Sequence, residues 1–270
     1  MTPRRATPDE IALLLDWAAA EGWNPGLDDA AAFHAADPEG FFVAEVDGAP
    51  VAAISVVNHS AEQSFLGLYL CRPAHRGRGV GYALWQYALR HAGDRTIGLD
   101  GVPAQQANYA RSGFVKTGST LRHLCTPTGA ASLREAGPAD LADCVARDAA
   151  ITGHARPAFA AGWFAPAPTR RTLLDGQGGQ VTIRLCREDA KIGPLYADTA
   201  EQAAALVAGA ARHVGAARVY VDLPETTPQA AQLANMLDAR ETFRTARMYR
   251  GTPPIPDTAR QFGIATMELG

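Results

Sequence analysis

One series of short strands and helices runs through this chain and then begins again, and a duplicated unit of alternating elements leaves few folds open. Gly67-Leu68-Tyr69 matches Gly193-Pro194-Leu195-Tyr196, Asp100 matches Asp222 and Phe114 matches Phe243, at offsets of 122 to 129 residues. In the first pass Thr7-Pro8-Asp9-Glu10 caps a helix whose apolar face is Ile11, Leu14, Leu15 and Ala18. Trp23-Asn24-Pro25-Gly26 breaks it, and a short helix over 28–36 follows. A hairpin turns at Asp47-Gly48 between strands 41–46 and 51–57. Strand 64–71, helix 80–91, strand 96–100, helix 105–111 and the start of a strand at 114–115 complete the unit. In the second pass helices are expected from Pro138-Ala139-Asp140 and over 203–214 and 229–237, with strands over 180–186, 193–197 and 218–222. The expected fold is α/β: two tandem mixed-sheet domains, 1–126 and 132–270, the second a diverged copy. The stretch from Leu124 to Ser132, with Pro127, Thr128 and Gly129, reads as the linker.

Two units of this size each bury enough surface to fold without staples, and at 47% apolar and 20% charged residues the 270-residue chain is not disordered. A formal net charge of −3 argues against a nucleic-acid or anionic-membrane partner. Cys71, Cys125, Cys144 and Cys186 form no C-x-x-C pair, so free thiols are expected, and no metal site. Apolar runs such as 11–15 fall short of the ~20 residues of a membrane span. Met1–Ala6 leads straight into polar Pro8-Asp9-Glu10, unlike a signal peptide. A cytoplasmic location is therefore expected.

The segment most informative about chemistry is Leu70-Cys71-Arg72-Pro73-Ala74-His75-Arg76-Gly77-Arg78-Gly79-Val80-Gly81, between a predicted strand and a predicted helix. Alternate glycines permit close backbone approach to a ligand, and an open helix N-terminus offers N–H groups and positive dipole to an anion, phosphate above all. A glycine turn among solvated arginines is the plainer reading. A second segment, Asn108-Tyr109-Ala110-Arg111-Ser112-Gly113-Phe114, follows the next strand. No Gly-Lys-Ser/Thr is present, which excludes a Walker loop, and a dinucleotide loop would lack its ribose-binding acid.

Together the two segments resemble the GNAT family, the general-control-related N-acetyltransferases. Arg76, Gly79 and Gly81 fit its pyrophosphate loop, and Asn108, Tyr109, Gly113 and Phe114 fit its later Asn-Tyr-x-x-x-Gly-Phe motif. Trp23-Asn24-Pro25-Gly26, the stretch 99–106 and Ile192-Gly193-Pro194-Leu195-Tyr196-Ala197-Asp198 extend the resemblance along the whole chain, to a bacterial subgroup with a degenerate second domain.

The resemblance implies direct transfer of an acetyl group from acetyl-coenzyme A to a primary amine, of a small molecule in the first instance. A peptide acceptor and a non-catalytic acyl-coenzyme A-binding module remain the alternatives. It places the cofactor on Leu70, Cys71, Arg76, Gly77, Arg78, Gly79, Val80, Gly81 and Asn108. Tyr109 is implied as the acid that protonates the departing thiolate, and backbone around Leu70 and Cys71 as the oxyanion donor. Trp23, Asn24 and Asp28 are expected to wall the acceptor pocket. Asp28, Asp29, Asp37 and Glu39 would suit a cationic amine. Asp148, His154 and Arg156 are the residues expected to close the pocket from the other domain. No general base stands out: Glu62, His34, His59 and His154 each read more simply as structural or surface groups. The second copy has Asp198-Thr199-Ala200-Glu201-Gln202-Ala203 where the loop should be, a self-capping helix start with no glycine. One coenzyme A site per chain is the expectation.

Overall fold

Local signals in the sequence place most of the helices. The computed structural model describes residues 1–129, 131–225 and 227–270, so Ala130 of the expected linker lies outside the described residues. Strand β1 (Thr2–Arg5) leads to α1 (Pro8–Ala20), whose capping box pairs the Thr7 side chain with the Glu10 backbone and the Glu10 side chain with the Thr7 backbone. Then come α2 (Asp29–Ala36), β2 (Phe41–Val46), β3 (Ala49–Asn58), β4 (Gln63–Cys71), α3 (Val80–Ala88), β5 (Thr96–Gly101), α4 (Gln106–Arg111) and β6 (Val115–Cys125). The second half contains β7 (Arg134–Glu135), α5 (Leu141–Thr152), α6 (Pro157–Phe164), β8 (Arg170–Leu174), β9 (Gln180–Leu185) and β10 (Ala190–Tyr196). It closes with α7 (Ala200–His213), β11 (Val219–Pro224), α8 (Pro228–Met236), β12 (Arg240–Arg250) and β13 (Gln261–Gly263).

The sheet does not divide where the sequence suggests. Its order is β1-β2-β3-β4-β5-β12-β6-β11-β10-β9-β8-β7, with β13 added alongside β10. β12, from the second half, lies between β5 and β6 and pairs antiparallel with both. β6, from the first half, pairs with β11 from Val219↔Cys125 to Pro224↔Thr120. The units 1–126 and 132–270 thus exchange a strand and share one sheet rather than closing separately.

Three apolar clusters cover this sheet. Leu84 and Trp85 of α3 pack with Phe42, Ile54, Leu66 and Leu99. Leu14 of α1, Phe33 of α2 and Phe159 and Trp163 of α6 form a second cluster with Phe41, Val43 and Leu68. Leu206 and Val207 of α7 and Leu233 of α8 cover Val181, Ile183 and Val221. Phe33 stacks on Trp163 at 6.1 Å, joining the halves across α2 and α6.

The two copies differ at one place that matters. In each, a parallel pair opens into a wedge: β4 meets β5 only over Gln63–Leu66, and β10 meets β11 only over Ala190–Ile192. In the second half β13 fills the opening, pairing with Leu195 and Tyr196. In the first half no strand among the described residues enters it, and segment 264–270 crosses its floor instead. An added Cβ on Gly193 would meet the carbonyl oxygens of Ile264 and Ala265 at 2.4 and 2.5 Å, and one on Gly67 would meet that of Glu268 at 2.0 Å. A glycine stands at the mouth of both wedges because the same passing backbone leaves no room for a side chain.

Candidate active site

β4 carries the site into the open wedge. Past Leu66 its edge toward β5 has no strand partner among the described residues, and Leu68 adopts a left-handed conformation, with φ of 46°. Three neighbouring cavities meet here. A narrow one of about 50 Å³ is bounded by Trp23, Leu68, Tyr109, Phe243, Met267 and Glu268, among others. A cleft of about 490 Å³ runs from Trp23 and Tyr69 over the 75–82 loop. A groove of about 430 Å³ passes Tyr82, Trp85, Asn108 and Tyr109. Tyr69 and Gln105 border all three, so the loop cleft and the narrow cavity adjoin at these two side chains.

The glycines of the loop serve two purposes. Gly77 and Gly79 have φ of 71° and 77° and open space where a Cβ would project. Gly79 is the N-cap of α3, with no side-chain hydrogen bond, so the first N–H groups of the helix, from Val80 onward, are left for a ligand. Gly81 has ordinary backbone geometry, but a Cβ there would lie 2.9 Å from the Tyr69 hydroxyl. Arg78 is exposed beside the cleft. Arg76 is engaged within the protein: its Nε donates to the Cys71 carbonyl at 2.7 Å and a terminal nitrogen reaches Glu21 at 2.5 Å. It therefore holds the loop against the end of β4 while lining the cleft together with Glu21. An uncapped helix start, positive-φ glycines and open space fit a diphosphate.

The corresponding helix of the second half is capped by its own side chains. Thr199 accepts from Gln202 N, Gln202 accepts from Asp198 N, and Asp198 pairs with Arg260. Its own side chains occupy the helix start.

Tyr109 is 6% exposed and stacks on Trp85 at 5.6 Å, with Phe114 edge-on at 6.3 Å. Burial, then Tyr69, raises its phenol above the usual range. Burial likewise pushes Tyr69 up to about 12. Both keep their protons at neutral pH and stand as hydrogen-bond donors. Leu70 and Cys71 line the cleft. Burial raises the Cys71 thiol, so it is a poor nucleophile. Asn108 is exposed, and its side chain binds Gln105 and Arg111 of its own turn rather than facing the wedge.

The acceptor-side expectations divide. Trp23 borders both the narrow cavity and the cleft, and its carbonyl receives Arg122 at 2.7 Å and Lys191 at 3.0 Å. Asn24 and Asp28 line neither. Asn24 exchanges hydrogen bonds with the Glu188 backbone, and Asp28 accepts from the Thr169 N–H and hydroxyl at 2.6 and 2.7 Å. Both clamp the two halves together. Asp29, Asp37 and Glu39 are paired with Arg184, His91 and Arg5, so that acidic group presents nothing to a cationic amine. Asp148 and Arg156 form a buried bidentate pair that Tyr196 joins at 2.6 Å, and Arg156 donates to the Gly270 carbonyl. The His59 ring lies 2.8 Å from the Leu269 carbonyl. Burial and the neighbouring Arg156 hold His59 near 3 and His154 near 4. These groups anchor segment 264–270 and do not enter the cavity. Glu62 and His34 line none of the three cavities.

Sequence reasoning missed Tyr69, Gln105, Arg122, Phe243, Met267 and Glu268. Tyr69 lies within the Gly67-Leu68-Tyr69 match and Gln105 within the 99–106 stretch, so both are within reach of the sequence; the others are assembled by the strand exchange and by the crossing segment.

Comparison with known proteins agrees with this architecture. The acetyltransferase (GNAT) family pattern matches residues 9–114, and an acetyltransferase (GNAT) domain pattern matches 144–263. Holothin acyltransferase of a Pseudoalteromonas species is 34% identical over 281 aligned residues, covering 100% of this chain and 94% of its own. A Pyrococcus horikoshii protein assigned as an acetyltransferase has the same fold at TM-score 0.83 and 21% identity, covering 100% of this chain and 95% of its own. A tandem GNAT protein from the clavulanic acid biosynthesis pathway superposes at TM-score 0.61 and 16% identity, with 92% and 97% covered. With an open wedge and a glycine-capped helix in one half and a filled wedge in the other, this chain belongs to the GNAT acetyltransferase family as an acyltransferase with two GNAT units in tandem.

Proposed function

We propose that the first half transfers an acetyl group directly from acetyl-coenzyme A to the primary amine of a small molecule. The adjacency of cleft and narrow cavity at Tyr69 and Gln105 carries this reading, since it would set a thioester held on the loop beside an amine entering from the other side. When bound, acetyl-coenzyme A supplies the activated acyl group. The backbone of 77–81 and the first N–H groups of α3 hold its diphosphate. The β4 backbone at Leu70 and Cys71, beyond the reach of β5, donates to the carbonyl oxygen as negative charge grows there. Tyr109 donates its hydroxyl proton to the sulfur as it leaves. About 50 Å³ is room for one or two waters, so the acceptor enters by a slender, amine-bearing end. The name of the Pseudoalteromonas relative supports a small-molecule acceptor over a peptide. Incubation with acetyl-coenzyme A and an amine panel, with mass detection of products, tests the reading. Acetylated small amines and released thiol support it; acetylation of peptides alone, or binding without turnover, refutes it.

A further inference from the structure

The second half reaches the narrow cavity through segment 264–270, and this segment brings a carboxylate. Three charged side chains line the cavity: Asp100, Arg122 and Glu268. Asp100 accepts from Thr120, Thr245 and Arg247. Arg122 holds Asp222 with two hydrogen bonds and donates also to the Trp23 carbonyl. Glu268 differs. It is 4% exposed, and its Oε2 is held by the Thr266 hydroxyl. Among the described residues no donor reaches Oε1, which nonetheless retains accessible surface. A nearly buried carboxylate oxygen with no protein donor is a site waiting for one.

We propose that Glu268 accepts the N–H of the acceptor amine and takes its proton, and that the acceptor arrives uncharged. This rests on the amine-acylation reading above. The charges already present decide the second part. Arg122 of β6 and Lys191 of β10 act on Glu268, and behind them stand Asp222 of β11, bound to Arg122, and Arg184 of β9, bound to Asp29: three cations against three anions with Glu268 counted, and the phenols of Tyr69 and Tyr109 are neutral. Lys191 is wholly buried and donates to the Trp23 carbonyl. Glu268 supplies the negative charge that balances it. An ammonium would compete for that charge and leave one buried cation uncompensated, whereas a neutral N–H needs only the free lone pair of Oε1.

The step balances. The amine nitrogen attacks the thioester carbonyl carbon, forming the C–N bond, and gives one N–H proton to Glu268. The C–S bond breaks with its electron pair going to sulfur, which takes the Tyr109 proton. Water carries the proton on Glu268 away and returns one to Tyr109, so amine and thioester give amide and thiol. Glu268 is thus a catalytic residue contributed by the half that binds no cofactor.

The test compares an aromatic amine, uncharged at neutral pH, with its benzylic counterpart, which is protonated there. With the parent enzyme, kcat/KM for the aromatic amine should stay flat between about pH 6.5 and 8.5, while that for the benzylic amine climbs about tenfold per unit as its free base appears. Glu268→Gln should lower kcat/KM for the aromatic amine by about a hundredfold or more, with coenzyme A affinity unchanged and the melting temperature lowered, because the variant also removes the charge that balances buried Lys191. A benzylic profile that is flat over this range means that the ammonium binds, and overturns the proposal; so does a folded Glu268→Gln variant at the parent rate. The pH comparison uses the parent enzyme alone, so it stands even if the variant fails to fold. If the parent acylates no amine at all, the functional reading falls and takes this inference with it.

Discussion

Gly67→Ala probes the contact on which the acceptor cavity depends. The added Cβ would lie 2.0 Å from the Glu268 carbonyl oxygen, 2.9 Å from its carbonyl carbon and 3.1 Å from its Cα, all backbone atoms. No rotamer change relieves this, so β4 or segment 264–270 must retreat by about 1 Å or more. Overpacking of a tight interior costs about 1–3 kcal/mol. The retreat also strains the ties that hold the segment, the His59–Leu269 hydrogen bond and the Arg156 contact with Gly270, each contributing about 0.5–1.5 kcal/mol. A total of about 2–4 kcal/mol, at about 2–4 °C per kcal/mol for a chain near this size, lowers the melting temperature by roughly 4–16 °C. Gly67 does not line the cleft over the 75–82 loop, so coenzyme A affinity should hold while kcat/KM for the acceptor falls. Thermal melting followed by circular dichroism, calorimetric titration and steady-state rates provide the three readouts. A variant that melts within a degree of the parent and acylates at its rate would refute the claim that the segment presses on β4.

Calorimetric titration of the parent should give one coenzyme A per chain, and Gly79→Val none, because valine at φ of 77° is strained and fills the open face of the loop; a variant that still binds, or two equivalent sites, contradicts the assignment. Tyr109→Phe removes one hydroxyl and should lower kcat by a factor of about ten to a thousand with acetyl-coenzyme A affinity nearly kept. Full turnover with the acceptor would reduce Tyr109 to packing. Acid should destabilise the fold as pH falls below about 6.5. His59 and His154 are held neutral down to about 3 and 4, so between those values and the ordinary histidine pKa the unfolded chain binds the additional protons. A denaturation midpoint that stays constant from pH 7 to pH 4.5 would show that these rings are not buried.

What the sequence reveals and what it conceals follow from the range of the forces involved. The loop, the helix behind it and the Thr7 and Thr199 caps are local: neighbouring residues satisfy or leave open the same few N–H groups, so the motif is nearly the structure. β8 is hard to read from the sequence because its burial is not purely apolar. Arg170 and Arg184 lie 5.0 and 4.6 Å from the Trp163 ring, with Asp29 bound to Arg184 as their counter-charge, and a buried arginine breaks the expected alternation. β12 reads as polar, since Arg244 and Arg247 sit in it, yet Arg247 is paired with Asp100 of the neighbouring strand. Asn24 and Asp28 look like pocket residues because turn side chains of this type bind whatever backbone approaches, and here that backbone is the other half of the chain. Glu268 gives no local sign. The glycine repeated inside a strand of each half, Gly67 and Gly193, is the trace its segment leaves in the sequence, and it reads as close backbone approach only once both halves are aligned.

The exchange of β6 and β12 sets the order in which this molecule can be finished on the ribosome. When residue 126 has been made, α1 through β5 have no neighbour for the outer edge of β5, because that neighbour is β12, and the floor of the wedge, residues 264–270, has not been synthesised. At about 5–20 residues per second, the first half therefore waits for roughly ten seconds or more with an open edge strand. It becomes competent only when the second half arrives. A copy that has lost its own ligand loop is then no passenger: cutting it away would leave the surviving unit with an unpaired edge, free to pair with the wrong chain.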